Sequence, residues 1–87
     1  MDVNLIKILK DVPDGTKMYS PIFGEVFLES VYDYISLEKS VYVKTARGGW
    51  ERFDSEGHWM NFGFKSEEPM LFPSRDQRDW SKFELKK

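Results

Sequence analysis

From Thr16 onward the chain is a succession of short runs rich in β-branched and aromatic residues, each closed within several residues by a turn signal. Runs of this length, with no long helical pattern between them, restrict a chain to a mainly β domain, a small barrel or sandwich. The spacing predicts strands over Thr16–Ser20, Gly24–Tyr32, Ser40–Arg47, Trp50–Asp54 and Met70–Phe72, with Pro21 as a break and Asp54-Ser55-Glu56-Gly57 as a turn. Ahead of them, Leu5, Ile8, Leu9 and Val12 recur at i, i+3, i+4 and i+7, the apolar stripe of a short helix. Asp2 or Asn4 can cap it, Lys7 and Lys10 sit late, where the helix dipole favours cations, and Pro13-Asp14-Gly15 ends it. Near the other end, Ser74-Arg75-Asp76-Gln77 has the spacing of a capping box. That predicts a helical turn over Arg75–Asp79, from which Trp80 and Phe83 pack back onto the domain.

Eighty-seven residues make a single domain, 1–87. A chain of this size buries only about 60–65% of the surface exposed by its unfolded form, and with no cysteine it has no disulfide to reinforce its core. The same absence removes thiolate chemistry and cysteine metal sites, and fits a reducing compartment. Aromatic residues make up 16% of the chain, too many for a disordered tail. Large rings bury much area each, and they also build binding surfaces. The net charge is −2, from 13 basic and 15 acidic residues scattered without runs, so bulk attraction to nucleic acid or an anionic membrane is not expected. No apolar run approaches the roughly 20 residues that span a bilayer. The opening MDVNLIKILKD lacks the basic leader and apolar stretch of a secretion signal. The cytoplasm is the expected location.

The hairpin around Gly48-Gly49 constrains which side chains share a face. A two-residue loop places Phe53 opposite Lys44 and Val43 opposite Asp54, which buries an aspartate or exposes the phenylalanine. A three-residue loop, Arg47-Gly48-Gly49, pairs Val43 with Phe53 and gives Gly49 the left-handed position of a bulged turn. Because a slip of one residue turns every side chain over, the second register is expected. It leaves Tyr42, Lys44, Ala46, Trp50 and Arg52 on the other face, with Lys44 opposite Arg52. Like charges so placed are unfavourable. The expectation is an acidic neighbour, Glu25 or Glu29, with an anionic partner as the alternative.

No catalytic residue, cofactor site or metal site is expected. Asp54, Ser55 and His58 hold the residue types of a hydrolytic triad, but they crowd one turn, whereas a triad draws its members from different elements. Ser55 lacks the strand–elbow–helix setting of an activated serine. One histidine, no cysteine and dispersed carboxylates make no ligand set. Neither phosphate-binding glycine motif is present, and the adjacent Glu67 and Glu68 read as a solvated pair. What remains is aromatic: Trp50, Trp59, Phe62 and Phe64, three of them within HWMNFGFKS (His58–Ser66). Core packing is the expectation for any one ring. Exposed in a loop they would form a contact patch, and Trp50, beside the turn, is the ring most expected outside.

Two stretches, PDGTKMYSPIFGEV (Pro13–Val26) and MLFPSRDQRDWSKF (Met70–Phe83), resemble blocks of a family of small uncharacterised proteins from gut bacteria and their phages. The resemblance spans most of Leu5–Phe83 and departs over Glu29–Lys39. It implies no activity and no site. In longer relatives the end like DWSKF leads into a further domain, which would make this chain an N-terminal domain. VYDY (Val31–Tyr34) is similar to the first-strand motif of SH3 domains, and LFPS (Leu71–Ser74) to the segment before their short 3₁₀ turn. Trp59 lies near the place of their ligand-gripping tryptophan. This second resemblance implies a small SH3-like barrel and a groove for Pro-rich peptides lined by Tyr32, Tyr34, Trp59 and Pro73.

The expectation from sequence is therefore an SH3-like barrel with a short N-terminal helix, acting as a non-enzymatic binding or accessory module with protein as its partner. Trp50, Tyr42, Arg52 and Trp59 are the candidate contacts. Binding of single-stranded nucleic acid through exposed aromatics is the alternative.

Overall fold

The computed structural model describes residues 4–32 and 39–83. Its frame is one antiparallel sheet of six strands paired in sequence order: β1 (Lys17–Ser20), β2 (Gly24–Tyr32), β3 (Ser40–Thr45), β4 (Trp50–Phe53), β5 (His58–Asn61) and β6 (Phe64–Pro69). The sheet curls into a half-barrel. Beyond β6, Tyr19 and Phe72 exchange two backbone hydrogen bonds (2.9 and 2.8 Å), so the chain after the last strand meets the first. No helix among the described residues is long and apolar enough to cross a membrane.

Alternation along the strands builds the core. Met18, Val26, Leu28, Val41, Val43 and Phe53 point inward, where Leu71, Trp80 and three residues of α1 (Leu5–Leu9) join them. In β2 the alternation changes phase at a bulge. Leu28 pairs with Val43 and Ser30 with Tyr42, which leaves Glu29 as the extra, exposed residue. Past it Val31, not Ser30, packs against the core.

Asn4 caps α1, its Oδ1 accepting from the N–H groups of Ile6 (3.1 Å) and Lys7 (3.4 Å); Asp2 lies outside the described residues. Leu5 and Leu9 are fully buried, and Ile8 and Val12 pack partly against the core. The helix stops at Leu9, short of the expected Pro13, and Ile6 is buried as well. A helix of little more than one turn can present several of its positions to β2 and β3.

Four expectations need correction. The β3–β4 loop has three residues but sits one place earlier: Thr45 N donates to Gly49 O (2.7 Å), and Gly48, at φ +91°, takes the left-handed position. Phe53 therefore faces Val41, Val43 faces Glu51, Tyr42 faces Arg52 and Lys44 faces Trp50. The slip is two residues, so the faces survive and the Lys44–Arg52 opposition disappears. Glu25, expected to offset it, instead pairs with Lys17 (3.2 Å). Second, His58–Asn61 and Phe64–Pro69, which carry no strand signal in the sequence, are strands. Third, Met70–Phe72 makes only the single bridge to Tyr19. Fourth, residues 75–79 are not helical. Ser74 Oγ accepts from Gln77 N (3.0 Å), but the Gln77 side chain reaches forward to Asp79 N (3.0 Å) rather than back. Asp79 then caps a single 3₁₀ turn, Trp80–Lys82. Trp80 is buried, its Nε1 donating to Leu71 O (2.9 Å), and Phe83 packs beside it.

The Asp54–Gly57 turn fastens separate parts of the chain. Asp54 Oδ1 accepts from Glu56 N and His58 N (both 2.9 Å), and Oδ2 meets Lys65 Nζ at 2.8 Å. Ser55 O accepts from Leu5 N (2.7 Å) and Gly57 O from Met70 N (2.8 Å). Gly57 has φ +88°, and a Cβ there would sit 3.4 Å from both Leu5 and the Leu71 carbonyl. Burial pushes the Asp54 carboxyl up, but the Lys65 hydrogen bond, the two backbone N–H groups and the Lys65 charge together hold it below its ordinary value.

Two predictions follow from this packing. Phe53→Ala should cost about 3–5 kcal/mol and unfold a domain this small, while Trp50→Ala should change stability by less than about 0.5 kcal/mol; urea unfolding of both checks the ranking. Asp54→Ala should cost about 2–4 kcal/mol through its orphaned donors. Because the folded pKa lies below the unfolded one, the ionic part of this stabilisation is complete above about pH 4 and is lost as pH falls through the folded pKa. Unfolding curves taken down the acid range should show the gap between wild type and Asp54→Ala narrowing only below that point.

Candidate functional site

The period of two that sends Val41, Val43 and Phe53 inward sends Tyr42, Lys44, Trp50 and Arg52 outward. Cross-strand pairing sets Lys44 beside Trp50, and a row of Tyr42, Arg52 and Met60 across β3, β4 and β5. Tyr32 extends the face, its ring edge-on to Tyr42 with centroids 5.1 Å apart. Trp50 is 66% exposed, although a tryptophan on a sheet usually packs against a neighbour.

The β5–β6 hairpin completes the site. Asn61 pairs with Phe64, so Phe62 and Gly63 form a two-residue turn with φ +45° and +84°. This is the type I′ geometry that matches strand twist and that favours Asn-Gly. Phenylalanine in the left-handed region is strained by its Cβ, and this one is also 102% exposed. Between the hairpin tip and β4 lies an open hollow of about 330 Å³, walled by Tyr42, Trp50, Arg52, Met60 and Phe62, with Glu51 at its base.

Trp59 does not belong to this face. It pairs with Phe53, on the inner side of the sheet. There it stands in an aromatic row, edge-on to Phe23 (5.6 Å) and to Phe64 (5.7 Å), and its Nε1 donates to Glu51 Oε1 (3.0 Å). The structure thus brings together three candidate contacts, Tyr42, Trp50 and Arg52, and places the fourth behind them. The SH3-type set is also dispersed: Tyr32 is on the outer face, Trp59 on the inner, and Pro73 lines a separate hollow beside β1. Tyr34 lies outside the described residues.

The Asp54 and His58 side chains have structural partners, and Ser55 serves the fold through its backbone carbonyl. Asp54 holds the turn, and the His58 ring donates from Nδ1 to Ser66 O (2.6 Å). Ser66 in turn accepts from Trp59 N (2.9 Å) and donates to Glu68 O (2.7 Å), which settles the irregular β5–β6 pairing. Among the described residues no three His, Cys, Asp or Glu side chains gather where they could hold a metal ion.

Met60 is a member of the face that sequence reading does not single out, and Phe62 stands out there only as one of four aromatic rings, not as the tip of a hairpin beside Trp50. The available signal is Gly63, a glycine in the second central position of a two-residue turn, which would have set Phe62 at the tip. Comparison with protein-family models, with curated proteins and with solved structures gave no match. What the chain does has therefore to be read from the chemistry of its own surface.

Strain at Phe62 predicts a gain on its removal. Phe62→Asn, which suits both the turn and the left-handed backbone, should stabilise the domain by about 1 kcal/mol. Thermal melts should show that as a rise of roughly 4–8 °C; an unchanged or lower Tm would mean that the turn is relaxed.

Proposed function

We propose that the protein is a non-enzymatic binding module whose partner is another protein, held on the outer face by Tyr42, Trp50 and Arg52 together with Phe62. The observation that carries this reading is the pair Trp50 and Phe62: two large exposed rings line one hollow, and the second is held there against its own backbone preference. Strained, exposed aromatics are kept where contact with something else offsets their cost. Residues that dominate protein interfaces are enriched in Trp, Tyr and Arg, which are the types found here. A second reading is single-stranded nucleic acid. It is favoured by the exposed Lys44 standing opposite Trp50, a cation beside a stacking ring, and opposed by the net charge of −2.

As architecture we propose a small SH3-like barrel. The uninterrupted meander of short strands, the late 3₁₀ turn and the Tyr19–Phe72 bridge support it. We also propose kinship with the family of small proteins from gut bacteria and their phages. Its two sequence blocks, Pro13–Val26 and Met70–Phe83, are the segments that this bridge joins. Lack of cysteine suits work in the cytoplasm.

The test uses the wild-type chain and the double variant Trp50→Ala/Phe62→Asn as baits in lysate, with and without nuclease, after circular dichroism has shown both to be folded. The expected result is a protein retained by the wild type, lost from the variant and indifferent to nuclease. Retention of the same proteins by both baits would sink the reading, and retention abolished by nuclease would move it to nucleic acid.

A further inference from the structure

The outer face differs in charge from the molecule that carries it. Among the described residues, the outward positions of β3, β4 and β5 hold the cations Lys44 and Arg52 and no carboxylate. Of the acids on neighbouring segments, Glu51 is engaged by Trp59 Nε1, Asp54 by Lys65 and Glu25 by Lys17, while Glu29, exposed at the β2 bulge, makes no ion pair with Lys44. Arg52 has contacts within the molecule. Lys44 is exposed and makes no ion pair among the described residues, and it stands directly across from Trp50. A locally positive, aromatic surface on a chain of net charge −2 is complementary to an acidic partner. A second copy of this chain fits poorly, because a two-fold axis through the face would set Lys44 and Arg52 against their own equivalents.

We propose that the hollow between Trp50 and Phe62 receives one bulky apolar side chain from an extended, acidic segment of a partner protein, with Lys44 meeting a carboxylate two residues from that anchor. This rests on the protein-binding reading above. The spacing follows from strand geometry. Side chains on one side of an extended peptide repeat every second residue, about 6.6–6.8 Å apart. Residues directly opposite in a sheet are somewhat closer, about 4.5–5.5 Å between Cβ atoms, so an anchor beside Trp50 leaves its second neighbour within reach of the longer Lys44 side chain. Tyr42, Trp50, Met60 and Phe62 give the hollow apolar walls, and burial of the anchor between them supplies the attraction. The cation selects the sign of the flanking charge.

The test is an amide chemical-shift titration of the whole chain with four probes at one low salt concentration. The first is the blocked peptide Ser-Glu-Ser-Leu-Ser-Glu-Ser. The second replaces both Glu by Lys, the third replaces Leu by Ser, and the fourth is a twelve-nucleotide oligo-dT. Expected are shifts from the first peptide centred on Tyr42, Lys44, Trp50, Met60 and Phe62, with affinity at least about tenfold weaker for the second and third. Lys44→Glu, a change at an exposed position, should reverse the preference between the first two peptides and leave the spectrum otherwise intact. Absence of shifts at millimolar peptide, equal binding of the Lys peptide, or an unchanged preference in Lys44→Glu would each overturn the inference. Preferential binding of oligo-dT, weakening steeply with salt, would overturn it in favour of nucleic acid. A protein captured by the wild type and lost from the double variant, alongside peptides that bind without regard to charge, would leave the protein-binding reading standing and remove this one.

Discussion

The Asp54 carboxylate accepts two backbone N–H groups and one ammonium at the turn where otherwise distant segments are fastened. Glu56 and His58 hold the turn closed, and Lys65 ties β6 to it across β5. With the turn so fixed, the Ser55 carbonyl takes the first N–H of α1 and the Gly57 carbonyl takes that of Met70, which starts the segment that returns to β1. Gly57 is the counterpart in shape: its left-handed backbone and missing Cβ let Leu5 and Leu71 close over it. A core this small cannot spare any of these joints. The strand meander could form without Asp54, but the helix and the returning segment would lose the frame on which they rest.

The same sheet serves two purposes because its period is two. Its inner side gathers Val41, Val43 and Phe53, and its rim carries the aromatic row Phe23, Trp59 and Phe64. Its outer side gathers Tyr42, Lys44, Trp50 and Arg52, which contribute little to the core and are therefore open to another role. Glu51 spans the two sides: it lines the outer hollow while its carboxylate accepts from the Trp59 indole on the inner side. Strand alternation, which pairs Glu51 with the inward Val43, sets that negative charge on the inner side, away from the positive outer face.

Much of this was legible in the residues. β1 to β4 follow from β-branched and aromatic runs cut by Gly and Pro, and the outward placing of Tyr42, Trp50 and Arg52 follows from keeping Phe53 inside. The exact register did not follow, because Gly48 and Gly49 suit the left-handed position equally and only the folded Thr45–Gly49 pairing selects between them. β5 and β6 were silent for a physical reason. β6 is an edge strand, exposed at every position but Ser66, and its Lys, Glu and Pro residues are those of a protected edge; such a strand has the composition of a loop. Without it the Phe62 turn is invisible, and so is the β4–β5 pairing that carries Trp59 to the other side of the sheet.

The unbroken meander has a further consequence for how the chain's entropy is spent. Every strand pairs with its sequence neighbour, so each hairpin closes only a short loop. The Tyr19–Phe72 bridge and the Leu5–Ser55 hydrogen bond are different: each joins residues about fifty positions apart. Loop-closure entropy grows only with the logarithm of that separation, and it falls away if the intervening hairpins are already in place. The domain therefore resembles a ribbon of local folds fastened at two distant points. Those two fastenings, together with the core that Leu5, Met18, Phe53, Leu71 and Trp80 share, tie the ends of the ribbon to its middle.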